Sequence, residues 1–184
     1  MQLSPTAQRF VLHWGEMGTR WGVNRTVAQI HALLFLADRP LNADEIVETL
    51  GVARSNVSVS LKELQGWGLV RVVHVMGDRR DHFQTFEDVW DIFRVVVEER
   101  KRREIDPTLT VLRDCTLEAE SDPMLSDSAR RKLQMSLDFM ESMAEGYDEL
   151  KRLPPATLMR LLHFGSKVQR WFGRKDEAPD NERK

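Results

Sequence analysis

The sequence predicts a mainly α-helical protein with a single β-hairpin, and three observations carry that expectation. Apolar residues recur at helical spacing along most of the 184 residues. The period changes once, from helical to extended, through "LVRVVHVM" after Gly68. A "GDRRD" turn then returns the chain through "HFQTF".

The elements follow in order. Ser4 before Pro5 is a helix start, because a cap oxygen precedes a residue lacking the donor that would go unpaired. Phe10, Trp14, Met17 and Trp21 then repeat at helical spacing until Gly22 and Asn24 interrupt. A second helix carries Val27, Ile30, Leu33 and Leu34 and ends near Pro40. Asn42 with Glu45 three residues on is a capping box, opening a short helix with Ile46, Val47 and Leu50 inward and Gly51 as its stop. A further helix spans roughly Arg54 to Trp67, with Val57, Leu61 and Leu64 on one stripe. The order of a short helix, a tight turn, a longer helix and a two-stranded hairpin is that of a winged helix-turn-helix.

From about Glu87 the chain is again helical, with Trp90, Phe93 and Val97 on one face. Asp106-Pro107 reads as a cap plus first-turn proline, so a break or kink is expected there. A long helix carries Leu133, Leu137, Met140, Ala144 and Tyr147 close to heptad spacing and stops at Pro154-Pro155. A last helix is expected around Leu158, Leu161, Leu162, Val168 and Trp171. The expected division is a winged-helix domain over 1–86, with its N-terminal helix free to join an interface, then a C-terminal long-helix dimerisation region over 87–172. The polar tail over 173–184 reads as disordered.

Composition narrows the function. Charged residues make up 30% and the formal net charge is -2, so no overall basicity announces a nucleic-acid partner, although the local field decides contact. One cysteine, Cys115, excludes an intramolecular disulfide and suits a reducing compartment. No signal-peptide order begins the sequence, and runs such as "HALLFLA" are too short to span a bilayer, so a cytoplasmic location and no membrane partner are expected. His13, His31, His74, His82 and His163 show no metal-ligand spacing, so neither metal nor cofactor is expected. No nucleophile elbow, P-loop or dinucleotide glycine pattern occurs, so no catalytic residue is assigned and a non-enzyme is expected.

The outward side of the Arg54–Trp67 helix is chemically suited to a duplex. Ser55, Ser58, Val59 and Lys62 lie opposite the apolar stripe, with Arg54 and Asn56 near the N-terminal end. Short side chains allow close approach to a groove, hydroxyls and the amide can bond phosphates or base edges, and Arg54 and Lys62 can neutralise phosphates. Arg79 and Arg80 at the hairpin tip can enter a minor groove or hold a phosphate pair. Two readings remain open: a sequence-specific reader of double-stranded DNA, and a winged helix serving as a protein-interaction module, which the net acidity keeps in play.

"LNADEIVETLGVARSNVSVSLKELQGWGLVRVVHVMGDRRDHFQTFEDVWDIF" resembles the winged-helix segment of MarR-type transcriptional regulators. The start "RFVLHWGEMGTRWGVNRTVAQIHALLFLADRPLNADEIVETL", the wing "GDRRDHFQTFEDVW" and the following "ERKRREIDPTL" resemble the GbsR-like branch. The resemblance covers roughly residues 5–115. It implies a dimeric regulator with its recognition helix in the major groove and its wing against the minor groove, in a branch associated with genes for choline uptake and glycine betaine synthesis. A repressor on a pseudo-palindromic operator is the expected form.

Self-association also has a physical motive. Two readers related by a two-fold axis read half-sites about one helical turn apart. The C-terminal helices could hold that spacing as a homodimer, or fold back as a bundle on their own subunit. A small-molecule effector of unassigned identity is a further expectation. Trp14, Trp21, Trp67 and Trp90 could wall a pocket for a quaternary ammonium group, or they could simply be core. Cys115 could sense oxidation or be structural.

Overall fold

The computed structural model describes residues 2–160 apart from 155 and 158. The expected last helix, His163 and the tail from residue 173 lie outside the described residues.

The elements are α1 (Pro5–Arg20), α2 (Arg25–Leu36), β1 (Leu41–Asn42), α3 (Ala43–Leu50), α4 (Arg54–Gly66), β2 (Val70–Val73), β3 (His82–Thr85), α5 (Val89–Arg100), α6 (Asp106–Ser121) and α7 (Asp127–Arg152). Each start has a local cause. Ser4 accepts from the Ala7 N–H at 3.2 Å with Pro5 in the first turn, and Asn24 accepts from the Thr26 N–H at 2.8 Å. The capping box at α3 is complete: Asn42 Oδ1 accepts from Asp44 and Glu45, while Glu45 accepts from the Asn42 N–H. Gly51 ends α3 in the left-handed region at φ 64°, where a side chain is strained.

The described residues fall into two compact units, divided between Arg102 and Arg103. In the first, α2 is the central element. Val27, Ile30 and Leu33 are sealed from solvent and join Val11, Leu41, Ile46, Val57, Leu61, Leu64, Leu69 and Phe83 in one core. Glycine lets α1 approach α2 closely. A Cβ at Gly18 would sit 2.5 Å from the Ala28 Cβ, and one at Gly15 would sit 2.6 Å from Gln29 Cγ. The inward face of α1 is therefore Val11 and Gly15, while Trp14 and Trp21 stay exposed.

The wing is a three-stranded antiparallel sheet of order β1-β3-β2, where the sequence predicts two strands. β2 and β3 form the expected hairpin, with Val70 opposite Thr85 and Val73 opposite His82. β1 adds Leu41 opposite Phe83 and Asn42 opposite His82. Two residues are too few to show an alternating pattern, so only their partners reveal them as a strand. At the tip, the Asp78 N–H donates to the Val75 carbonyl at 3.1 Å across Met76 and Gly77, the latter at φ 86°.

α5 belongs to the first unit: Ile92, Val95 and Val96 pack against its core. The sequence reading draws the boundary earlier, before residue 87. The irregularity expected at Asp106-Pro107 takes another form. Asp106 is already helical, and Ile105 stands at the cap position without a side-chain hydrogen bond. A π-helical turn over Lys101–Ile105 precedes it. Pro107 lacks an N–H and crowds the turn before it, which is where the widened π-helical turn lies.

In the second unit, α6 and α7 form a helical hairpin. Leu137 is buried, and Leu133, Met140, Ala144 and Tyr147 are half-buried, so the heptad-like stripe faces inward together with Leu109 and Ala119 of α6. Arg113 bonds Glu141 through Nε and Nη2 at 2.9 and 2.8 Å, and Arg130 Nε donates to the Ala119 carbonyl at 2.8 Å.

Candidate nucleic-acid interface

The phase of α4 decides which side chains are available. Val57, Ser60, Leu61 and Leu64 are buried, an i, i+3, i+4, i+7 stripe held against α2 and α3. Arg54, Ser55, Asn56, Ser58, Val59 and Lys62 are all exposed, and Val59 shows 65% of its surface. An apolar side chain left outward among serines offers a methyl surface for a thymine methyl group. Ala53 supplies no side-chain acceptor at the start of α4, so its first N–H groups carry the positive end of the helix dipole unscreened by a cap oxygen.

Arg79 and Arg80 are both exposed beside the wing turn, yet their surroundings differ. Asp78 holds Arg80 three ways: it accepts from the Arg80 backbone N–H at 3.0 Å, from Nε at 2.9 and 3.0 Å, and from Nη2 at 2.5 Å. These bonds keep the Asp78 carboxyl well below the usual carboxylate range and raise the Arg80 guanidinium above its ordinary value. Among the described residues the Arg79 side chain has no such partner, which leaves it the freer cation of the pair.

Asp44, in the first turn of α3, ties the two halves of this surface together. Its Oδ1 is paired with Arg54 Nη1 at the start of α4, and its Oδ2 lies 3.8 Å from Arg80 Nη1 on the wing. Helix α4 and the wing are therefore neighbours on one exposed side. Next to it, Arg39 donates to Glu45 at 2.5 Å, and that bond lowers the Glu45 carboxyl. Nothing in the sequence marks Asp44, because its partners lie ten and thirty-six positions away.

Beneath the wing a buried polar chain fixes its root. Thr85 Oγ1 donates to the Leu69 carbonyl at 2.8 Å and lies 3.1 Å from His31 Nε2. With its hydrogen spent on Leu69, the threonine oxygen accepts from an Nε2–H of the imidazole. Burial pushes the His31 imidazole down to about 4. The sequence reading sees only scattered histidines, and this pairing over 54 positions has no local signature.

The four tryptophans have separate surroundings. Trp14 stacks on Phe10 at 5.3 Å, Trp90 meets Phe93 edge-on at 6.1 Å, and Trp67 packs against the first unit's core. Trp21 lies 5.9 Å from the Arg100 guanidinium, which also donates to its carbonyl at 2.5 Å. A cleft of about 280 Å³ lies between the wing root and the start of α5. Leu69, Arg71, Thr85, Phe86 and Asp91 are among its walls, and none of the four tryptophans is. Cys115 is a free, half-buried thiol. Among the described residues no group of three or more His, Cys, Asp or Glu is placed to hold a metal ion. No helix of the described residues is long and apolar enough to cross a membrane.

The comparisons agree with this geometry. The sequence model of the MarR family matches residues 21–81, which run from the α1–α2 turn to the end of the wing turn. A crystal structure of a transcriptional regulator is similar at 21% identity, covering 80% of this chain and 96% of that one, with a TM-score of 0.64. A mutant of ZitR from Lactococcus lactis is similar at 19% identity over 67% of this chain and 75% of that one, with a TM-score of 0.31. The search of curated proteins finds no match. A family match over residues 21–81, a shared fold over most of the chain and an outward helix beside a β-hairpin lead to one conclusion: the fold is a winged helix, and its helix-turn-helix and hairpin segment is similar to the MarR family.

Proposed function

We propose that the chain is a sequence-specific, DNA-binding transcriptional regulator, a repressor that acts as a homodimer on a pseudo-palindromic operator. The observation that carries this reading is the outward face of α4, with Arg54 and the wing's Arg80 on one shared carboxylate. In this reading α4 enters the major groove, Asn56 and Ser58 meet base edges, Lys62 and Arg54 meet phosphates, and Arg79 reaches the minor groove. The resemblance of the first 115 or so residues supports placing it in the GbsR-like branch.

The dimer seam proposed is the second stripe of α7. Met135, Phe139 and Met143 expose 68, 62 and 55% of their surfaces on the side away from the Leu137 stripe. Lys132, Met135, Phe139, Ser142 and Gly146 follow alternating spacings of three and four, the rhythm of a helix seam, and the small residues permit close approach. A second copy of α7 is the occupant with the matching pattern.

Binding-site selection from randomised duplexes, followed by affinity against salt, tests the reading. A DNA reader weakens steeply as salt rises, because it displaces phosphate counterions. Absence of duplex binding at low salt would reject it in favour of a protein-interaction module.

A further inference from the structure

We propose that Asp44 is a specificity-determining residue of the interface: a built-in carboxylate that occupies Arg54 and Arg80 until correctly placed DNA phosphates share them. The inference rests on the DNA-binding reading above and names a residue that tunes it.

The geometry has three parts. Arg54 begins the recognition helix and is paired with Asp44 Oδ1. Arg80 belongs to the wing and has Asp44 Oδ2 3.8 Å away, with Asp78 holding its other edge. Asp44 itself sits on α3, its backbone N–H bonded to Asn42 Oδ1 at 3.0 Å, so the carboxylate is anchored to the scaffold that orients both cations. All three side chains are about half exposed, so phosphates can approach the same guanidinium groups.

Two consequences follow from charge alone. Asp44 and Asp78 offset Arg54 and Arg80, so the face carries less free positive charge than its arginines suggest, and loosely held duplex is attracted weakly. At the matching site the phosphates sit where each guanidinium can bridge carboxylate and phosphate, since it has five donors. The carboxylate thus disfavours non-specific contact more than specific contact, which is discrimination by a repulsive element. It also fixes the spacing between helix and wing before DNA arrives.

The test uses the full-length protein with two duplexes: the site that wild type recovers from a randomised pool, and a scrambled duplex of equal length and composition. Asp44→Asn is expected to bind the scrambled duplex about tenfold tighter at low salt, with a log–log salt slope steeper by about 1. Its preference for the selected site over the scrambled one is expected to fall at least about threefold, because the selected site gains less. Asp44→Glu keeps the charge and is expected to restore most of the preference. Should the asparagine variant fold poorly, Asp44→Ser is read in the same way.

An unchanged preference in the neutral variants, or an equal loss of affinity for both duplexes, overturns the role of Asp44 and leaves the DNA-binding reading standing. Wild-type protein that binds neither duplex at low salt, or binds both alike, overturns the parent reading and this one with it.

Discussion

The two units solve the burial problem differently. In the first, α2 is enclosed by α1, α4 and the sheet, and Ile30, Leu33, Leu41, Ile46 and Val57 lose all contact with water. In the second, buried apolar residues among those described are Leu109, Ala119 and Leu137, while Val111, Leu117, Met135, Phe139 and Met143 remain exposed. A layered domain can bury an element on several sides, whereas a helical hairpin buries one stripe of each helix and leaves the other wet. The first unit therefore seals an extensive core and leaves the outward side of α4 polar. The exposed apolar residues of the second are where the proposed dimer seam lies.

The most disruptive way to break this comparison is to place a charge in each core. Leu61→Asp puts an unpaired carboxylate at a position 3% exposed, and a loss above about 4 kcal/mol is expected, which abolishes the first unit's cooperative melting. Leu137→Asp is expected to dissolve the α6–α7 hairpin while the first unit's transition persists in calorimetry. A single transition lost in both variants would show that the units do not fold separately.

Acid should strike the first unit next. The folded His31 takes up a proton near pH 4, against about 6.5 when unfolded, so between those values the unfolded chain binds more protons. Stability is then full above pH 6.5 and falls as pH drops toward 4, by about 3 kcal/mol. His31→Gln is expected to flatten that slope in denaturant titrations at pH 4.5 and 7. A parallel slope in the variant would assign the acid sensitivity elsewhere.

The second unit should answer to concentration instead. Phe139→Glu lies outside the hairpin core, so helicity by circular dichroism is expected to hold while sedimentation shifts from dimer to monomer, a loss of about 2 kcal/mol in association. An unshifted mass would remove α7 from the seam. The most local effects are expected on the proposed DNA-binding face. Arg79→Ala is expected to weaken binding on all duplexes and lower the salt slope by about 1, whereas Asn56→Ala should alter the selected motif at a cost of about 1–3 kcal/mol at one base pair. A motif unchanged in the asparagine variant would place Asn56 off the bases.

Much of the fold is readable residue by residue. The caps at Ser4, Asn24 and Asn42, the stop at Gly51, the inward stripe Val57–Leu61–Leu64 and the hairpin after Gly68 all depend on neighbours within a few positions. The exposed set on α4 follows from the same phase, since the opposite side of an amphipathic helix must face out. The heptad spacing of Leu133 to Tyr147 is equally plain, but spacing does not say which helix it meets, and here it meets α6.

What the amino-acid order determined, then, is each element and which of its sides is apolar, because propensity, capping and periodicity act over one or two turns. Only the folded chain decided that Asp44 joins α4 to the wing, that His31 bonds Thr85 across 54 positions, that Leu41 and Asn42 become a third strand, and that Gly15 and Gly18 are the places where α1 and α2 touch. Those are meetings between distant segments, and their geometry exists only once the core has fixed the distances.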